Sequence, residues 1–358
     1  MPYAPKFELG LFLPNTQGGL IFATGNPPQR MPSFALNLAV TRMAEAAGFD
    51  FVLSQSKWRG YGGAARHWDF SLESFTLMSA LAAATSRIRL FASVGVRTIH
   101  PVVAAKMVVT IDDVSNGRFG LNIVAGWNQR EYAQMGLWAE DDYHAYRYAY
   151  AEEYLTVLRA LWTHDRVTHR GRHFTLDDCE CLPRPAHHVP VVCAGQSEDA
   201  LRFTARHADF SFVGRQADTP EQLGALSRRV GILAAEHGRT VGTYMLLTVI
   251  AHDTDAAAFA QRDHFIANTD MEGLAEMTRI SGMDASRAHR TELPTAARTF
   301  MGMPFIAGSY ERVAAYLDSI ADAGLTGVSM VFADFEQDLA RFIRYVMPLM
   351  RSRAEMPA

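Results

Sequence analysis

Two rhythms alternate along the chain. Short β-branched or aromatic runs are separated by longer stretches whose apolar positions recur at helical spacing. The short runs predict strands at 7–14, 49–53, 88–94, 119–124, 191–194, 210–213, 244–250 and 328–332. The helical pattern covers 33–47, with Leu36, Leu38, Ala39, Met43 and Ala46 apolar, and returns at 73–84, 101–111 and 148–162. Pro101 opens the third of these, a position where its missing N–H costs nothing. Several strands are apolar throughout, as expected when both faces of a sheet are covered. Eight βα units with no Pro/Gly/Ser-rich linker predict an α/β chain forming one (β/α)8 TIM barrel, a single domain over 1–358. A doubly wound sheet is the competing arrangement. Its dinucleotide fingerprint is missing, because the first strand–helix junction runs Pro14-Asn15-Thr16-Gln17-Gly18-Gly19 rather than GxGxxG.

Three polar or glycine-rich insertions, 15–32, 55–70 and 268–302, fall where a barrel strand passes into its helix. Such loops emerge together on the face where barrel active sites are built, so all three are expected around one mouth. The segment 163–190, with Gly171 and proline-rich ends, predicts a hairpin excursion instead.

Charge narrows the partners. The 358 residues carry 34 Lys+Arg against 38 Asp+Glu, a net −4, which gives no electrostatic footprint for nucleic acid or an anionic membrane. Three cysteines, Cys179, Cys181 and Cys193, lack zinc-site spacing, so neither a metal nor a disulfide framework is expected. No 18-residue apolar run or signal-peptide pattern is present, and a cytoplasmic protein acting on a small molecule is the expectation.

In a barrel the strand ends are informative. Ser54 and Gln55 close the second strand, Ser93 lies in the third, and Asn122 interrupts the apolar fourth. A buried amide is costly unless bonded, so Asn122 either bridges strands or points into the mouth. Trp127, beside Gly126, could wall a planar ligand or simply pack. Arg147 and Tyr148, read as the start of a helix, suggest a phosphate clamp, with an Asp–Arg surface pair as the alternative. Ser197, after Gly195, is a helix cap in a turn open enough for a ligand, and Ser309 after Gly308 repeats that arrangement. His67 and His100 lie near the predicted mouth. Asp112 and Arg118 read as scaffold, with a pairing between them open. No HExxH, GxSxG or phosphate-loop motif occurs, nor a nucleophile–base pair.

The runs Ser74-Phe75-Thr76-Leu77-Met78, Thr110-Ile111-Asp112 and Ser115-Asn116-Gly117-Arg118-Phe119-Gly120-Leu121-Asn122-Ile123-Val124-Ala125-Gly126-Trp127, with Arg147-Tyr148 and Cys193-Ala194-Gly195-Gln196-Ser197, resemble the bacterial-luciferase-like flavin-dependent monooxygenases. Within that family the pyrimidine (uracil-cleaving) group is the most similar. The resemblance implies FMN as cofactor, used as FMNH2 with O2 and supplied by a separate NAD(P)H-dependent flavin reductase, in a homodimer or homotetramer. It assigns flavin contacts to Ser56, Lys57, Asn122, Glu131, Arg147, Tyr148 and Ser197, and oxygen placement to Asn122 and Ser93, where the family has Thr in place of Ser93. It implies a flavin-N5 oxygen adduct that opens an amide or ureide bond of an N-heterocycle. Riboflavin cleavage, sulfone or sulfonate oxidation, and hydride transfer with a flavin or deazaflavin remain open. Gln55, Ser56, Arg97 and His100 are more polar than the family pattern. Gln55, Trp58, His67, Arg97, His100 and Trp127 are the candidate substrate contacts.

Overall fold

The computed structural model describes residues 6–24, 31–138, 142–195, 197–215, 218–283 and 292–353. Its strands in chain order are β1 (Glu8–Phe12), β2 (Phe51–Ser54), β3 (Arg89–Gly95), β4 (Phe119–Val124), β5 (Arg166–Arg170), β6 (Thr175–Glu180), β7 (Val191–Ala194), β8 (Phe210–Val213), β9 (Gly242–His252), β10 (Phe305–Ser309) and β11 (Gly327–Val331). Parallel pairing runs β1–β2–β3–β4–β7–β8–β9–β11 and returns to β1, closing an eight-stranded barrel with helices outside it. These are the eight strands that the apolar runs predict. Both faces are covered, and β2 and β11 are buried at every position.

One strand is additional. Thr248 pairs with Val331 of β11 on one edge and Phe305 of β10 on the other, while Tyr244 pairs with Gly327 and with Phe212 of β8. β10 therefore continues the edge of β9 above β8. Its short run Ile306-Ala307-Gly308 carries too few β-branched residues to announce a strand. Ser309 at its end caps the helix Tyr310–Asp322. Asp255 already accepts from the Ser309 N–H and pairs with Arg312 there, so this helix start is not the anion site its turn suggested.

The N-terminal end of the barrel is plugged. Tyr244 stacks between Phe51 (4.6 Å between centroids) and Phe210 (4.7 Å), and its hydroxyl donates to Glu8, which also pairs with Arg89. Glycine makes this plug possible. A Cβ on Gly10 would lie 2.1 Å from the Phe51 ring, and one on Gly120 would lie 2.5 Å from Phe91. Helix ends are set locally: Glu73 accepts from Phe75 and Thr76 N–H, Pro101 opens Pro101–Ser115, and Asn116 ends it in the left-handed region (φ 52°). Asp112 does not pair with Arg118. Its buried carboxylate accepts from the Ala186 N–H, while Arg118 donates to the carbonyls of Ala82, Thr85 and Ile88 around the end of Ser74–Ala84.

In 163–190, β5 and β6 form an antiparallel hairpin. The three insertions meet at the opposite end of the barrel from the plug. Thr16 bridges Ser71, Ala23 bridges Thr269, the Trp68 indole donates to Gly19 O (2.7 Å), and Ala65 N–H donates to Asp270 (2.7 Å). Residues 25–30 and 284–291 of these insertions lie outside the described residues. No helix among the described residues is long and apolar enough to cross a membrane.

Candidate active site

A cavity of about 380 Å³ opens at the C-terminal ends of the strands. Its wall takes Phe12 from β1, Gln55–Lys57 after β2, Ser93 from β3, Asn122–Val124 from β4, Ala194 from β7 with Gly195 after it, Phe212 and Val213 from β8 with Gly214 after them, and Leu246 from β9. Side chains that converge there come from distant parts of the sequence, as the barrel arrangement dictates.

On one wall the register of β3 and β4 sets Ser93 opposite Asn122. The Asn122 amide donates to Ser93 Oγ (2.7 Å), and that hydroxyl donates to the Ser54 carbonyl (2.6 Å). Behind them Ser74 Oγ accepts from the Ser93 N–H (2.8 Å) and bonds Ser54 Oγ (2.6 Å). Asn122 Oδ1 is buried and has no hydrogen-bond partner among the described residues. Both readings of Asn122 hold at once, since it bridges two strands and presents an unmet acceptor in the cavity wall.

The next segment carries a buried ion pair. Lys57 Nζ lies 2.8 Å from Glu131, both side chains under a tenth exposed, and the other Glu131 oxygen accepts from the Trp58 N–H (2.6 Å). Asn128 caps the short helix Gln129–Ala133 that carries Glu131. The ammonium is framed by the rings of Tyr61, Trp68 and Trp127 at 5.1–5.9 Å. Gln55 is locked to Asn15, whose amide donates to Gln55 O (2.8 Å) and accepts from Gln55 N (3.0 Å).

Arg147, Tyr148 and Ser197 line the far side. The helix carrying Arg147 begins at Tyr143, so Arg147 sits beyond its first turn and the free N–H groups are not beside it. No Pro or Gly interrupts the residues just before Tyr148, and the helix extends back over them. What Arg147 offers is a buried guanidinium beside the Tyr148 ring (5.2 Å). Gly195 closes the turn at φ 153°. A Cβ there would lie 2.8 Å from the Tyr148 hydroxyl. Ser197 caps Glu198–His207, and Glu198 in its first turn is engaged by Arg202 and Arg229. Gln196 lies outside the described residues.

Gln55, Ser56, Lys57, Ser93, Asn122, Trp127, Glu131, Arg147, Tyr148 and Ser197 thus share one cavity. Trp58, His67, Arg97 and His100 do not line it. Trp58 is exposed, and His67 is fully buried between Phe22 (3.9 Å) and Trp68 (5.1 Å). Arg97 donates to the Leu137 carbonyl over Tyr143 and Tyr150, and His100 caps Pro101–Ser115 against Phe174. Tyr132, Phe212, Arg215, Met301 and Met303 line the cavity without having been singled out by sequence. Strand-end position could have flagged Arg215; nothing local marks the two methionines.

A parallel barrel whose C-terminal mouth holds a cavity of mixed polar and apolar lining is an arrangement on which barrel active sites are built. The chain belongs to the luciferase-like monooxygenases, whose family model matches residues 7–327, and it is an enzyme of that class. It is 42% identical to the pyrimidine monooxygenase RutA of Escherichia coli O127:H6 (strain E2348/69 / EPEC), over 98% of each chain. Among solved structures it is similar to the riboflavin lyase RcaE with modified FMN and riboflavin (TM-score 0.84, 19% identity, 99% of this chain and 94% of that one). DmoA from Hyphomicrobium sulfonivorans is similar too (TM-score 0.79, 20% identity, 99% and 89%). At such identities the structural likenesses speak for the fold alone.

Proposed function

We propose that this enzyme is the oxygenase of a two-component system: it takes FMNH2 from a separate NAD(P)H-dependent flavin reductase and uses O2 to open an amide or ureide bond in a pyrimidine-like ring. The unmet Asn122 acceptor beside Ser93, in a cavity that also holds a buried guanidinium, carries this reading. It fits a planar, hydrogen-bonding, anionic group such as FMN. The glycine turn at 195 leaves room against Tyr148 for such a group's backbone to approach. The 42% identical relative named as a pyrimidine monooxygenase supports the substrate class.

A bound reduced flavin supplies the electrons that activate oxygen. The protein's part is placement. Arg147, Tyr148 and the N–H groups after Ser197 would hold the flavin phosphate by charge and hydrogen bonds. Lys57 and Glu131, neutralising one another, fix the 55–58 segment, and Ser56 and Gln55 on it would be available to contact the bound group. Asn122 and Ser93 would offer hydrogen bonds to what binds in the cavity, and the apolar wall of Phe12, Leu20, Phe212 and Leu246 would exclude water from it. The test is a panel of uracil, thymine, barbiturate, riboflavin and dimethyl sulfone with FMN, NAD(P)H, O2 and a generic reductase, read by mass. Ring-opened uracil or thymine is expected. Turnover of riboflavin or the sulfone alone contradicts the substrate class.

A further inference from the structure

We propose that Trp68 and Met301 set the size of the ring that the cavity admits, each a bulky apolar side chain that the backbone holds there at a conformational cost. The inference rests on the pyrimidine reading above and goes beyond it to the residues that decide among substituted rings.

Among the described residues, five that are not glycine have φ in the left-handed region: Arg66, Trp68, Asn116, Asp178 and Met301. Asn and Asp tolerate it, and Arg66 turns at the exposed surface. Trp68 (φ 62°) and Met301 (φ 57°) are neither small nor polar, yet both are buried and both line the cavity. At Met301 the broken rule is explicit. Its N–H donates to Arg298 O (2.8 Å) and the Gly302 N–H donates to Ala297 O (3.0 Å), closing the helix Thr295–Thr299. This pair of bonds ends a helix through one left-handed residue, and that residue is usually glycine. Methionine stands there instead. Trp68 is pinned as firmly, since its N–H donates to Gln17 O (3.0 Å) and its indole to Gly19 O (2.7 Å). Backbone strain persists where the surroundings over-determine it, and it gathers at ligand-clamping sites. The two residues come from different insertions, 55–70 and 268–302, which the bond from the Ala65 N–H to Asp270 joins. A thioether, and an indole whose N–H is already committed, give a ligand no charge and no strong hydrogen bond. What they contribute is shape, and shape discriminates by size.

The test sets 5-ethyluracil against uracil in one vessel, with FMN, NAD(P)H, O2 and a generic flavin reductase. The ratio of the two kcat/KM values is read from the ring-opened products by mass. A ratio taken in competition does not move with the fraction of protein that is folded, so a merely structural role would leave it unchanged. Met301→Gly suits the backbone and empties the side chain's space, and should raise the ratio in favour of 5-ethyluracil by about tenfold. Met301→Asn, shorter and at ease in the left-handed region, should raise it likewise. Trp68→Phe, with a smaller ring, should raise it too, while Met301→Leu keeps the bulk and should stay near the wild-type value. An unchanged ratio in Met301→Gly and Met301→Asn, or in Trp68→Phe, overturns the proposal and leaves the pyrimidine reading standing, as does an equal rise in Met301→Leu. A wild type that opens neither ring overturns both.

Discussion

Lys57 and Glu131 are charged, buried and in contact, so removing one of them exposes the cost of the other. Lys57→Met leaves a buried carboxylate facing the Trp58 N–H and should lower stability by about 3–5 kcal/mol, while the double variant Lys57→Met/Glu131→Gln should recover more than half of that. Urea midpoints at constant m-value measure both. His67 makes a second residue-scale prediction. Burial, and after it the charge on Lys57, pushes its imidazole from 6.5 down to about 3. Between those values the unfolded chain binds a proton that the folded chain refuses, so stability is lost as pH falls below 6.5, by up to about 1.4 kcal/mol per unit. His67→Phe should flatten that slope in denaturation measured from pH 7 to pH 4; an unaltered slope contradicts the burial account. On the proposed function, Asn122→Ala in the cavity wall should lower the rate of oxygen transfer on the order of a hundredfold, as oxygen consumption with a fixed FMNH2 supply would show.

At the scale of elements, Glu153 ties the hairpin β5–β6 to the helix Tyr143–Thr163 by hydrogen bonds, beside the packing of Phe174 on Tyr150 and Tyr154. Glu153 accepts from the N–H groups of His173 (3.0 Å) and Phe174 (2.9 Å) and from the His169 ring (3.1 Å). Burial alone would raise this carboxyl, but the Phe174 N–H and the His169 ring outweigh it and hold the group below its ordinary value. Glu153→Ala should speed amide exchange across 166–180 and leave turnover unchanged; slowed turnover would tie the hairpin to the site. Gly195→Ala tests the opposite case, a loop that belongs to the site. Its methyl would meet Ala200 at 2.6 Å and the Tyr148 hydroxyl at 2.8 Å, and a displaced Tyr148 should weaken FMNH2 binding by about tenfold. The apolar runs were enough to place all eight barrel strands, because a strand covered on both faces has no polar positions to blur it. β10 was illegible because a strand of small residues at the edge of β9 looks like a turn. Strand ends likewise pointed to Asn122 and Ser93, whose chemistry is out of place in an apolar run. Arg97 and His100 misled for a related reason. A polar residue just beyond a strand can turn outward to satisfy a carbonyl or cap a helix, and spacing along the chain does not say which way it turns. Met301 and Met303 reach the cavity only through the path of the last insertion, which no local pattern encodes.

For the molecule as a whole, the barrel separates stability from chemistry. The stacked Phe51, Tyr244 and Phe210 with the Glu8–Arg89 pair seal one end, leaving the other free to carry polar, partly unsatisfied groups. That division lets one fold carry different sites, since the mouth is built from insertions, whose described residues 16–23, 65–71 and 269–270 interlock over it. The central claim is that this mouth hands oxygen from O2 to a cyclic amide or ureide. It is tested most directly by turning over uracil with FMN, NAD(P)H and a generic flavin reductase under ¹⁸O₂ and weighing the product. A ring-opened product carrying ¹⁸O is the predicted result; ring opening with oxygen drawn only from water, or hydride transfer with no oxygen consumed, would contradict it.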